Sequence, residues 1–87
     1  NDETTEYELL AERSLIKQIN GNCFTPIAAL AEINKERLIL QAKLFSEDGN
    51  IFSDKKLEGI ASNARQIGST CADYLINNLI NKEKNEK

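Results

Sequence analysis

Along the chain the spacing of apolar positions changes character three times, and each change marks an element. In the first tract Tyr7, Leu10, Ala11, Leu15 and Ile19 recur at intervals of three and four. That is one face of a helix, and it predicts a helix over residues 4–19. Thr4 or Thr5 can cap its start, and Glu6 and Glu8 suit the positive end of its dipole. Asn20-Gly21 stops it, because glycine enters the left-handed region without a Cβ clash. The period then shortens. Residues 25–33 are mostly apolar, with Pro26 at the start, where a missing N–H is tolerated in a strand. In residues 37–45 Leu38, Leu40, Ala42 and Leu44 fall on one face and Arg37, Gln41 and Lys43 on the other, the alternation of a half-buried strand. Residues 51–58 predict a third, more polar strand. Asn34-Lys35 and the segment SEDGN at 46–50, with Gly49 available for positive φ, are the turns between them.

From residue 61 to 81 the helical period returns, with Ala64, Ile67, Cys71, Leu75 and Leu79 marking its buried side. Gly68 sits in that helix against its propensity, at a cost of about 1 kcal/mol relative to alanine. A close approach of backbone to the sheet is the expected reason. The tail at 82–87 is charged, lacks an apolar face and is expected to fray. The predicted fold is α+β: a three-stranded antiparallel sheet with helices packed on one face, in the order α-β-β-β-α. Residues 1–87 form a single domain, since 87 residues leave room for one small core.

Composition narrows the function classes. Eleven basic residues are scattered among 14 acidic ones, for a net charge of −3, so the clustered positive field of a nucleic-acid binder is missing. No apolar run approaches the length of a membrane span. The chain contains no histidine, which removes the usual proton shuttle and the commonest metal ligand. Two cysteines 48 positions apart make a poor zinc site, and no Ser-His-Asp or Cys-His arrangement can be assembled from this chain. No catalytic residue and no metal ligand is therefore assigned. The chain opens NDETTEYELL, without an initiator Met or a signal-peptide pattern, which reads as a piece of something longer.

The candidate chemistry lies in the two thiols. Cys71 falls on the apolar stripe of the last helix and reads as a small buried hydrophobe. Cys23 falls where a helix has ended and a strand is about to start, with small or polar Gly21, Asn22 and Thr25 nearby and before a stiffening proline. On the residues alone it is an incidental loop cysteine, an accessible functional thiol, or a disulfide partner of Cys71. A thiol-redox domain is disfavoured by the lack of a C-x-x-C pair.

Glu12-Arg13, Leu15, Ile19, Gly21, Cys23 and Thr25-Pro26-Ile27-Ala28 stand in the segment ERSLIKQINGNCFTPIA. This segment resembles the cofactor-attachment signature of the porphobilinogen deaminase (hydroxymethylbilane synthase) family. The similarity continues through AALAEI, the SEDG turn and ARQIGSTCADYLINN, and covers nearly the whole chain as that family's C-terminal domain. One position departs: Asn22 stands where the family usually has Gly, Ser or Ala. The resemblance implies the third domain of a cytoplasmic, monomeric three-domain transferase of tetrapyrrole and haem biosynthesis. It also implies that Cys23 binds a dipyrromethane cofactor through a thioether. The expected partners are the two larger N-terminal domains, porphobilinogen and the growing polypyrrole, with no nucleic acid and no membrane. The catalytic carboxylate and the arginine cleft would lie in those absent domains, because Arg13, Arg37 and Arg65 are far apart in sequence. The alternative is a small α+β interaction module with an incidental loop cysteine.

Overall fold

The structure, a computed structural model, describes residues 2–20, 27–46 and 49–85. Its elements follow the predicted order: α1 (Asp2–Asn20), β1 (Ile27–Asn34), β2 (Arg37–Phe45), β3 (Phe52–Ile60), a 3-10 turn (Ala61–Asn63) and α2 (Ala64–Asn85). The strands form one antiparallel sheet in the order β1-β2-β3. Both outer strands are therefore edges.

The pairings Ala29↔Ala42, Ala31↔Leu40 and Ile33↔Leu38 set the odd residues of β1 and the even residues of β2 on one face. On β3 that face continues through Ser53 and Leu57. Leu38, Leu40 and Leu44 are completely buried there. Ala11, Leu15 and Ile19 of α1 and Ala64, Ile67, Cys71, Leu75 and Leu79 of α2 join the same core. Alternation on β2 thus dictated which face the helices cover, as the periodicity predicts. The opposite face stays open. It mixes exposed Leu30 and Ile60 with a half-exposed ion pair between Arg37 and Glu58 at 3.2 Å. Such a pair in water contributes at most about 1 kcal/mol.

The first hairpin turns one residue later than expected. Asn34 is the last ladder partner, opposite Arg37, so the turn is Lys35-Glu36. Lys35 takes φ 60°, a left-handed conformation unusual for lysine. The turn is held from outside, since the Ala61 N–H donates to the Glu36 carbonyl at 2.9 Å. In the second turn Gly49 takes φ 77°, as anticipated, and its N–H donates to the Ser46 carbonyl.

Three further expectations need correction. The last helix does not start at residue 61. Ala61 is buried and hydrogen-bonded to the first hairpin, and the chain passes through a 3-10 turn before α2 begins at Ala64. Nor does it stop at 81, but runs to Asn85. Lys82 donates to the Phe52 carbonyl at 2.7 Å and lies 5.2 Å from the Phe52 ring, which ties the Lys82 side chain to the β3 edge. Gly68 does mark a close approach, but to α1 and not to the sheet. A Cβ there would meet the Ala11 carbonyl oxygen, with the Ser14 Cβ at 2.9 Å and the Leu15 nitrogen at 3.0 Å.

Candidate functional site

Of the two thiols, Cys23 lies outside the described residues; α1 ends three residues before it, at Asn20, and β1 begins at Ile27. Cys71 is fully buried in α2 as a free thiol, so it is not paired with Cys23. Burial pushes the Cys71 thiol up to about 11, with the Lys55 charge pulling more weakly the other way. A thiol held protonated and out of contact with solvent is neither a nucleophile nor a ligand at neutral pH. The structure thus supports its reading as a core residue.

The two elements flanking Cys23 in sequence are joined by carboxylates. On the outer edge of β1, the Ala31 N–H donates to Glu12 Oε2 at 2.9 Å, and the Ile33 N–H donates to Glu8 Oε2 at 3.1 Å. Edge-strand amides that face away from the sheet need a partner or water. Here two of them find one on α1. Glu8 therefore does more than complement the helix dipole, and Glu12, the first residue of the quoted signature, has a local task. An acidic pair at i and i+4 on a helix beside an edge strand was the available signal. Sequence reading missed it because nothing local says which strand will be the edge.

Arginines far apart in sequence are partly reunited. Arg13 and Lys17 of α1 and Arg65 of α2 line one shallow groove between the helices, together with Leu10, Ser14, Gln18 and Ser69. Its floor is polar. Ser14 Oγ donates to the Arg65 carbonyl at 2.7 Å and lies 3.0 Å from Ser69 Oγ, and Gln18 Nε2 donates to Asp73 Oδ1 at 2.8 Å. Arg13, Lys17 and Arg65 give its described lining positive charge on a chain that is acidic overall, with the Asp73 carboxylate held at its margin by Gln18. Arg37 stays apart, paired with Glu58 on the open face of the sheet. Among the described residues no group of three or more cysteine and carboxylate side chains converges as a metal site. No helix among them is long and apolar enough to cross a membrane.

Comparison with known proteins adds the family context. The profile of the porphobilinogen deaminase C-terminal domain matches residues 6–77. The chain is 33% identical over 78 residues to the porphobilinogen deaminase of Clostridium novyi (strain NT), covering 90% of this chain and 26% of that protein. It is 37% identical over 78 residues to the enzyme of Desulfosudis oleivorans, covering 90% and 25%. Against the Clostridioides difficile (strain 630) enzyme the identity is 32% over 82 residues, covering 94% and 27%. The chain thus spans about a quarter of the length of these relatives.

Proposed function

The chain belongs to the porphobilinogen deaminase family, matching its C-terminal domain, and from that membership we propose that it anchors the dipyrromethane primer of a hydroxymethylbilane-forming enzyme through Cys23. The full enzyme, on this reading, joins four porphobilinogen units head to tail and releases one ammonia per unit. The carrying observation is the family match over residues 6–77, which includes the segment from Glu12 to Ala28 with its cysteine. The burial of Cys71 supports it by elimination, since the chain contains two cysteines and one is sealed in the core.

The chemistry suits sulfur. Loss of ammonia from porphobilinogen leaves an electrophilic methylene carbon. The Cys23 sulfur supplies the electron pair of the new C–S bond, and the thiol proton leaves with the ammonia as ammonium. A thioether resists hydrolysis, so an anchor of this kind survives repeated turnover. The bound dipyrromethane supplies the pyrrole end on which the chain grows.

The 87-residue chain alone should have no deaminase activity. Its described residues offer one groove with two arginines and a lysine, too few for several rings that each carry an acetate and a propionate. The remaining groups belong to the rest of the enzyme, its two larger domains. The test is Cys23→Ser in the full-length protein. Intact mass should show no dipyrromethane and turnover should collapse, while Cys71→Ser keeps the adduct and loses stability. An adduct retained by Cys23→Ser would overturn the assignment.

A further inference from the structure

The two carboxylates that α1 lays on the β1 edge match in spacing as well as in chemistry. Glu8 and Glu12 are four residues apart, an advance of about 6 Å along a helix. Their partners, Ile33 and Ala31, are two residues apart in the opposite sense, about 6.6 Å along a strand. The helix and the strand therefore run antiparallel with matched pitch. α1 ends at Asn20 and β1 begins at Ile27, the described ends that bracket residues 21–26. Sliding α1 by one residue would turn it by about 100° and carry both carboxylates off the amides. The close contact of Ala11 and Leu15 with Gly68 sets α1 against α2, and the two carboxylate bonds set it against β1.

We propose that Glu8 and Glu12 are positioning residues: their hydrogen bonds to the Ile33 and Ala31 amides lock the register of α1 on β1 and so fix the two chain ends between which Cys23 is carried. The inference rests on the reading of Cys23 as the cofactor anchor. Nothing about the pair requires it to touch cofactor or substrate. Its effect is to hold Asn20 and Ile27, the described ends on either side of the attachment segment, in one relative geometry. A displacement of about 1 Å at a reacting group can cost up to about a hundredfold in rate.

The experiment uses the full-length protein prepared without cofactor, with porphobilinogen as the probe. The rate of mass gain at the thiol is followed beside hydrogen exchange at the Ala31 and Ile33 amides. In Glu8→Ala/Glu12→Ala both amides should lose protection, and loading should slow by about tenfold or more. Glu8→Gln/Glu12→Gln keeps an acceptor oxygen at each position and should load within about twofold of the parent. Ile76→Val, which thins the core under α2 away from the clamp, controls for lost stability and should load normally, all rates being taken well below each unfolding midpoint. If the double alanine variant does not fold, Glu12→Ala alone gives the same comparison. Loading by the alanine variant at the rate of Ile76→Val, with its amides unprotected, overturns the clamp and leaves the anchor reading intact. Mass gain in Cys23→Ser overturns both.

Discussion

Replacing Gly68 with alanine sets two known effects against each other. By helix propensity the change should stabilise the chain by about 1 kcal/mol. The packing argues the other way. The new methyl would meet the Ala11 carbonyl oxygen and lie 3.0 Å from the Leu15 nitrogen, both backbone atoms of α1, with the Ser14 Cβ at 2.9 Å. No rotamer change relieves those contacts, so the helices must separate. Overpacking of this kind costs about 1–3 kcal/mol. Separation also stretches the Ser14 bond to the Arg65 carbonyl, now 2.7 Å, and the Ser14–Ser69 contact at 3.0 Å, each worth about 1 kcal/mol. The repulsive and hydrogen-bond losses exceed the propensity gain, and Gly68→Ala should destabilise by about 2 kcal/mol. For a domain of this size that lowers the unfolding midpoint by about 8–16 °C. Urea titration of the wild type and the variant, with equal m-values required, measures it. A variant as stable as the parent, or more stable, would mean that α1 and α2 do not cross at Gly68.

Other expectations follow from burial. In the cofactor-free 87-residue chain Cys71, sealed in the core, should resist a thiol reagent under native conditions while Cys23, the expected loop thiol, reacts; equal labelling rates would contradict the distinction. Because the folded Cys71 thiol is raised from 9.0 to about 11, its contribution is fully present below pH 9. Above that the unfolded chain ionises first, and stability falls as the pH rises toward about 11, by up to about 2–3 kcal/mol. Cys71→Ala should flatten that part of the stability profile, and an unchanged slope would refute the assignment. Leu40→Ala, at a fully buried site in the central strand, should cost about 2–5 kcal/mol by chemical denaturation, and a loss below about 1 kcal/mol would place Leu40 outside the core.

Much of the molecule was legible in the chain because burial of a face is a local, periodic property. The alternation of Leu38, Leu40, Ala42 and Leu44 required one covered side, and the three- and four-residue spacing through Ala11, Leu15 and Ile19 and through Ala64 to Leu79 supplied the helices that cover it. Candidate chemistry was legible only as residue types. The lack of histidine and the position of Cys23 could be read, and so could the signature around it, whereas the sealing of Cys71 follows from its stripe once the core exists. What tertiary structure alone decided is who meets whom. Gly68 faces α1 instead of the sheet, because periodicity says which side of a helix is buried and not which neighbour buries it. Arg13 and Arg65 share a groove across a helix crossing that no sequence interval encodes. Glu8 and Glu12 reach the amides of an edge strand, and β1 is an edge only because β2 takes β3 on its other side. Each of these depends on distances between elements far apart along the chain, and those distances exist only after the core has closed.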